Sequence, residues 1–329
     1  MIWVIFIITA ACAFCVGYAI RRGSVCTVVA ARALVLDGKS SRFRAFLVAA
    51  AGSGTVMIPL HWALPDLTTL SAGYPVTGFV LLSGAAFGLG AWINGACALG
   101  TLAHLTGGNL KYVGTIVGMV AGAVLTTALD IPGYLQNTPR PSPLETPGLF
   151  SVSFVVLLAL CLLVALYRRV PRWWRTFRNA GSMRMGPYRS MLVVGVFGGI
   201  LYVFAGNWTY VTILSHRAAR LVDPMHMPGS WLALSCALAV VSGGITAALR
   251  SGKFRLQHPA LTSLFRPVTG GIIMGTSAMI IPGGNGTVLL YGVPSLAPHA
   301  IAAYGTMVAT LIACFGVSKI TVPTSGRSC

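Results

Sequence analysis

The chain has 329 residues, of which 56% are hydrophobic and only 9% are charged. Soluble domains carry about 25% charged residues, so this composition excludes an ordinary soluble protein and indicates a polytopic membrane protein. The formal net charge of +18 is ambiguous by itself. Nucleic acid, anionic lipid, an anionic substrate and membrane topology are all explanations that it leaves open.

Nine nearly continuous apolar stretches predict transmembrane helices, because most of them reach the ~20 residues that are needed to cross a bilayer. They cover residues 1–20, 45–64, 76–93, 112–129, 150–167, 190–206, 230–249, 268–282 and 299–318. The shortest, 268–282, is marginal alone. The first stretch lacks a basic n-region and a small-x-small cleavage site, so we interpret it as a retained helix and not as a signal peptide. The predicted fold class is therefore all-α.

Most of the basic residues lie in segments on one side of the nine predicted spans. All but three of the 23 follow spans one, three, five, seven or nine, and the exceptions are Arg140, Arg217 and Arg220. The positive-inside rule then predicts an external N-terminus and a cytoplasmic C-terminus. Topology thus explains most of the net charge. Nucleic acid is not a predicted partner, because the basic loops lack interleaved aromatic residues and any recognition module.

One basic loop, 168–189, contains seven arginines together with Trp173 and Trp174. This composition is typical of an interfacial amphipathic segment, so we expect it to bind anionic lipids at the cytoplasmic face. A second loop, 130–149, is rich in proline and glycine and is predicted to be an irregular external connector.

The order of spans and breaks repeats along the chain. Short apolar segments follow breaks near Cys26 and Cys97 in the first half, and near Thr209 and Gly284 in the second, with a similar separation between the two breaks. Because an odd number of spans separates equivalent positions, the two units would have opposite orientations. Many transporters have such inverted repeats, with a site built from interrupted helices at the repeat interface. Coincidental similarity between two glycine-rich halves stays open as the alternative.

This plan divides the chain into three parts. Residues 1–130 form the first repeat, with four spans and two short re-entrant helices. Residues 131–189 comprise the external loop, a connector span and the basic cytoplasmic loop, and residues 190–329 form the second repeat.

The sequence offers little conventional chemistry. Its five acidic residues all lie in loops or at span ends, which argues against a cation substrate and against coupling through an intramembrane carboxylate. There is no Walker loop, metal-ligand cluster or nucleophile with a nearby base. We therefore predict no enzyme activity, no cofactor and no bound metal.

Two cysteines stand at helix breaks, Cys26 before one short helix and Cys97 before another. The N-terminus of a helix exposes free amide donors and the positive end of a dipole, both of which suit an anion. A thiol adds a weak S–H donor and a polarizable sulfur, matched to a sulfur-bearing anion. On spacing alone, a second interpretation stays open, in which both cysteines are small residues that allow close packing.

Three motifs then resemble the YeeE/YedE family of sulfur-transport membrane proteins. They are Gly23-x-x-Cys26, the glycine-rich run from Gly88 to Gly100 that contains Cys97, and Pro282-Gly-Gly-Asn285 followed by Leu289-Leu-Tyr-Gly292. The resemblance covers nearly the whole chain. It implies that thiosulfate, or a related sulfur species, crosses the inner membrane of a bacterium through an hourglass-shaped centre, handed inward by S–H···S contacts. By motif, Cys97 would be the central relay and Cys26 the relay on the cytoplasmic side.

The chain departs from the family pattern in two places. Characterised thiosulfate transporters have a third relay cysteine on the outer side of the second half, where this chain has 282–287 without cysteine. Either Asn285 or backbone amides receive the anion there, or the substrate is not thiosulfate. Where some relatives carry an arginine after the Cys97 motif, this chain has His104.

The sequence therefore predicts an importer of a small sulfur-containing anion. Its expected site comprises Cys97 and Cys26, the glycines that shape the breaks, and two further polar residues; beyond the cysteines these are Gly95, Gly100, Gly283, Gly284, Asn285 and Thr209. The alternatives are a transporter of another sulfur or selenium species, and a membrane accessory protein that delivers sulfur to a soluble sulfurtransferase without transporting it. A cytoplasmic sulfurtransferase is a further candidate partner.

Overall fold

The computed structural model describes residues 2–23, 26–131, 139–167, 185–224 and 230–321, and within these ranges the regular secondary structure is helical, apart from two isolated β-bridges. The helices are α1 (Ile2–Gly23), α2 (Thr27–Asp37), α3 (Ser41–Ala63), α4 (Gly78–Asn94), α5 (Ala98–Leu105), α6 (Val113–Ala128), α7 (Leu149–Tyr167), α8 (Pro187–Ala205), α9 (Tyr210–Ala219), α10 (Trp231–Arg250), α11 (Phe265–Ile280), α12 (Asn285–Thr287) and α13 (Pro298–Thr321). A π-helical turn (Val288–Gly292) continues α12, and 3₁₀ turns lie at Pro65–Leu67, Leu110–Tyr112 and Leu261–Leu264.

The described ranges contain eight helical segments that are long and apolar enough to cross a membrane. A ninth arises if the bent pair Leu261–Ile280 and Asn285–Gly292 forms one span, with a bend of 48° at its break. This agrees with the sequence, in which the stretch 268–282 is too short to cross comfortably alone. The predicted class, an all-α polytopic membrane protein, is confirmed.

Each of the four predicted short segments is a helix that follows a long one after a few residues of irregular backbone. These are α2, α5, α9 and α12. The order of long and short helices is the same in α1–α6 as in α8–α13, and α7 lies between the two sets.

Helix packing follows the same correspondence. Helix α1 packs on α10, and its equivalent α8 packs on α3. In the same way α4 packs on α13, and its equivalent α11 packs on α6. The equivalent pairs α1 with α8, and α4 with α11, contact each other directly. This is the pattern that two repeats related by a pseudo-two-fold axis would produce, although the inverted relation itself stays a prediction.

Two predicted loops fall partly outside the described residues. Most of the arginine-rich loop, residues 168–184, lies outside them, so the predicted lipid-binding segment stays a prediction. Of the connector 130–149, the described part contains a short pairing in which the N–H of Gly73 donates to the carbonyl of Arg140 and the N–H of Arg140 donates back, both at 2.8 Å.

Glycines let the crossing helices touch along their backbones. A Cβ atom added at Gly275 of α11 would lie 2.1 Å from the carbonyl oxygen of Met119 in α6, and one at Gly195 of α8 would lie 2.3 Å from that of Ala49 in α3. In a bilayer, where neighbouring lipid is as apolar as a side chain, this close van der Waals packing stabilises helix pairs.

We predict that Gly275→Ala destabilises the protein by about 1–3 kcal/mol, because the added methyl group must push α11 and α6 apart. The matched control is Gly305→Ala, on an exposed helix position with nothing within 4 Å of the new Cβ. It should be neutral or stabilising by about 0.5–1 kcal/mol. Thermal unfolding in detergent measures both, and equal losses in the two variants would contradict the close packing.

Candidate functional site

The break between α4 and α5 is built by a glycine and a buried asparagine. Helix α4 ends at Asn94, and Gly95 follows with a φ of +76°, a left-handed conformation that glycine adopts without steric cost. The Asn94 Nδ2 donates to the carbonyl of Ala96 at 2.7 Å, and the Thr115 hydroxyl donates to Asn94 Oδ1 at 2.7 Å. These hydrogen bonds replace those lost where the helix stops, as a break at membrane depth requires.

The break between α11 and α12 reproduces this geometry without sulfur. Gly283 has a φ of +146°, again accessible to glycine. Gly284 then precedes α12 with φ −76° and ψ 177°, almost the values of Cys97 before α5, which are −79° and 177°. Gly284 thus occupies in the second break the backbone position that Cys97 occupies in the first.

The two predicted cysteines lie side by side in the interior. Cys97 is fully buried and Cys26 is 5% exposed, and their sulfur atoms are 3.7 Å apart, within S–H···S distance. Gly100 makes room for this contact, since a Cβ atom there would lie 2.6 Å from the Cys26 sulfur. The Cys97 sulfur also interacts with the backbone N–H groups of Thr27 and Gly100. The first turns of α2 and α5 therefore meet at the thiol pair.

The second half of the chain reaches the same point through two polar side chains. The Asn285 Nδ2 donates to the Thr27 hydroxyl at 3.3 Å, which joins the start of α12 to the start of α2. The Tyr210 hydroxyl, at the start of α9, donates to the carbonyl of Ala98 at 3.0 Å. The structure thus brings Cys26, Cys97 and Asn285 together around Thr27, although their sequence positions are far apart.

A cavity of about 780 Å³ opens beside this cluster. We call it the outer cavity, after the side on which the predicted orientation would place it. Its walls come from both halves, and the predicted site residues among them are Thr209, Gly283 and Gly284, with Ala98 and Leu99 of α5 nearby. Neither cysteine lines it. The second-half residues of the predicted site therefore line this cavity, whereas the thiol pair lies behind its wall.

The outer cavity is also lined by Asp130, Asp223 and His216. From sequence these aspartates are loop residues at span ends, and nothing there indicates that they approach the interrupted helices. A path for an anion would not by itself lead us to expect two carboxylates in the cavity wall.

At the end of the cluster away from the outer cavity, the Arg21 side chain is hydrogen-bonded to backbone carbonyl groups. We call this the basic end. The Arg21 guanidinium donates to the carbonyl of Ala103 in α5 at 3.1 Å and to that of Lys253 at 3.2 Å. Beside it, the N–H of Arg255 donates to the carbonyl of Gly107 at 3.1 Å, which holds the segment after α10 against the end of α5.

His104, near the C-terminal end of α5, lies at the basic end. Its ring stacks on Tyr112 with centroids 4.6 Å apart and an interplanar angle of 10°. Arg21 interacts with it electrostatically. The basic end therefore has a guanidinium near His104, and this arginine comes from α1 and not from the Cys97 motif.

Three residues of the cluster were not predicted: Thr27, Tyr210 and Tyr304. Thr27 directly follows the last residue of the motif Gly23-x-x-Cys26, so its position was a usable signal. Tyr304 of α13 lies beside the Thr27 side chain, and its hydroxyl oxygen is buried. Nothing in an otherwise apolar span distinguishes this tyrosine from one that packs against other helices.

We predict that Gly100→Ala destabilises the protein because its methyl group displaces the Cys26 thiol. In the double variant with Cys26→Ala the sulfur is gone. Its loss of stability should therefore be smaller, by about 1 kcal/mol, than the sum of the losses in the two single variants, a coupling normal for residues in contact. Gly284→Ala is the control, since nothing lies within 4 Å of its added Cβ. Thermal unfolding measures the four proteins. Strict additivity would contradict the contact.

The comparisons with known proteins agree with this architecture. A family model described as sulphur transport matches residues 22–313, a range that includes both breaks, the thiol pair and all the residues named for the outer cavity. A comparison with curated proteins found no match. Because the family match extends over most of the 329 residues, the chain belongs to the YeeE/YedE family of sulphur-transport membrane proteins.

Proposed function

We propose that this multi-pass membrane protein imports a small sulfur-containing anion, with thiosulfate as the substrate to test first. The observation that carries the proposal is the pair of buried thiols, 3.7 Å apart, at the N-termini of two short helices beside the outer cavity. Family membership supports a sulfur compound as cargo. The pair of thiols suits such a cargo because sulfur is polarizable and S–H is a donor.

In the proposed path the anion passes from the outer cavity to Cys97 and then to Cys26. Both sulfurs act as intact S–H donors, so no covalent bond forms or breaks. The backbone amides at the first turns of α5 and α12 supply fixed dipoles, which stabilise negative charge without reorganisation. At 3.7 Å the second thiol is close enough to receive the anion as it leaves the first.

Release at the basic end requires the contacts of Arg21 to separate. Its two hydrogen bonds join α1, α5 and the segment after α10, so one side chain holds three elements together at this end. An anion arriving past Cys26 is attracted to this guanidinium and competes with the two carbonyl groups for its N–H donors. We propose that this competition opens the basic end toward the cytoplasm.

The proposed orientation places the basic end in the cytoplasm of a bacterium, with the N-terminus outside. The positive-inside rule supports it, as do Arg21 and Lys253, which meet at one end of the helix bundle, and the aspartates of the outer cavity, which lie at the other. Paired inverted repeats would explain why equivalent helices make equivalent contacts. Anionic lipid and a cytoplasmic sulfurtransferase are proposed partners at this face.

The function is tested by uptake of labelled thiosulfate into cells that lack their own importers. Accumulation above vector-only cells is expected. If thiosulfate does not accumulate, it is not the substrate, and the same cells are then tested with sulfite, sulfide and selenite. An accessory protein that only delivers sulfur would take up none of the four, and that result would contradict transport.

We predict that Cys97→Ala lowers the rate of uptake at subsaturating substrate by about tenfold or more, the effect of losing one hydrogen bond to a charged ligand. Cys97→Ser, which keeps a donor, should retain more activity. Cys236→Ala is the matched control, because this cysteine is equally buried but lies on α10 away from the cluster. If Cys97→Ala transports like the wild type, the thiol relay is wrong even though transport stands.

The orientation predicts that a fluorescent protein fused after residue 329 folds in the cytoplasm and is bright, whereas alkaline phosphatase fused there is inactive. The complementary control places alkaline phosphatase in the loop after α6, where it should be active. The reverse pattern would place the outer cavity on the cytoplasmic side and would turn the proposed import into export.

A further inference from the structure

The pair of buried thiols is capable of a covalent reaction that the proposed relay does not use. Both cysteines are free in the structure, and their sulfur atoms are 3.7 Å apart. An S–S bond is about 2.05 Å long, so the two sulfurs need to approach each other by about 1.6 Å to form one. The thiols are therefore already in contact along the direction in which a disulfide would form.

The backbone at both cysteines permits this approach. Cys26 and Cys97 are each the residue before a helix, and both have extended backbone, with φ −154° and ψ 124° at Cys26 and φ −79° and ψ 177° at Cys97. A shift of either residue therefore does not require a helical residue to leave its helix. Gly100, which has no side chain, leaves the space beside the Cys26 sulfur open.

The surroundings of Cys97 favour its sulfur as the first to react with an oxidant. The backbone N–H groups of Thr27 and Gly100 interact with it. Amide donors at helix starts stabilise the negative charge that a sulfur must carry when it attacks an oxidant. The next residue in the chain, Ala98, lines the outer cavity. An oxidant the size of a water molecule that enters this cavity thus comes within one residue of the reactive thiol.

The other described cysteines lack this arrangement. Cys12 interacts electrostatically with Cys15 and Cys236, but all three are helical residues, two in α1 and one in α10. Cys161 and Cys314 are likewise within helices, α7 and α13. A disulfide between two of these helices would have to draw whole helices together, whereas Cys26 and Cys97 need only shift at two helix starts.

We propose that Cys26 and Cys97 form an oxidation site, at which a peroxide converts the thiol pair to a disulfide and stops transport. The Cys97 sulfur attacks one peroxide oxygen, the O–O bond breaks, and the released hydroxide takes the thiol proton and leaves as water. The Cys26 sulfur then attacks the sulfenic sulfur of Cys97, the S–S bond forms, and the second oxygen leaves as water with the Cys26 proton. One peroxide is reduced to two water molecules, and the two thiols lose two electrons.

The disulfide removes what the proposed relay requires. Both S–H donors are lost, and a covalent bond ties the start of α2 to the start of α5 where the anion would pass. A dithiol reductant reverses the reaction and restores both donors. The loss of transport rests on the proposed function, whereas formation of the bond does not.

The test uses a variant that retains Cys26 and Cys97 and has alanine in place of the other six of the eight cysteines. Cells that contain it are treated with hydrogen peroxide, and the protein is then denatured and alkylated. Its intact mass should show two hydrogens lost and no thiol alkylated. Thiosulfate uptake should fall about tenfold or more, because both S–H donors are gone, and should return after dithiothreitol.

The wild type and a matched variant complete the test. In the wild type the bond is identified as a linked pair of peptides after proteolysis, so the result does not depend on the folding of the two-cysteine variant. Cys26→Ser in the two-cysteine background leaves Cys97 without a partner thiol. Peroxide should then add oxygen to Cys97, and the loss of two hydrogens should be absent.

The combined readouts separate this site from the transport proposal. If peroxide adds oxygen to Cys97 in the Cys26→Ser control but produces no disulfide in either the wild type or the two-cysteine variant, the oxidation site is wrong. A disulfide that forms fully while uptake continues at its original rate would overturn the proposed stop. A disulfide in a wild type that takes up no thiosulfate before oxidation would support the site and refute thiosulfate transport.

Discussion

Hydrocarbon offers no hydrogen bonds to an exposed backbone, and the site depends on how the chain breaks its helices at membrane depth under that constraint. At the first such break, Gly95 supplies the turn while Asn94 and Thr115 satisfy the freed polar groups. Once a helix stops and a new one starts inside the protein, its N-terminal amides point inward. The anion binding that we propose for the centre would be a consequence of that geometry.

The proposed site exists because the helix breaks lie next to one another in the interior. Sulfur atoms from α2 and the α4–α5 break are in contact, and Asn285 connects the start of α12 to the same place through Thr27. Gly100 is small because the Cys26 sulfur needs its space. Closely packed glycines elsewhere, such as Gly275 against Met119, hold the long helices near enough for the short ones to converge.

Local features of this architecture could be predicted from sequence, whereas the contacts between the starts of the short helices could not. Apolar length locates the spans, and glycine next to cysteine locates the breaks, because both depend on residues close together in the chain. The contact between Cys26 and Cys97 joins residues 71 positions apart and depends on packing among several helices. For the same reason, sequence gave no indication that Tyr304 borders Thr27 or that Asp130 and Asp223 share one cavity.

The central claim is that substrate reaches Cys97, and alkylation of that thiol tests it most directly. Iodoacetamide is added to the wild-type protein in membranes, with thiosulfate or with chloride at the same ionic strength, and modification of the peptide containing Cys97 is followed by mass spectrometry. The account predicts that thiosulfate slows modification of Cys97 and that chloride does not. Equal rates at Cys97 with and without saturating thiosulfate, in membranes that take up the anion, would contradict it.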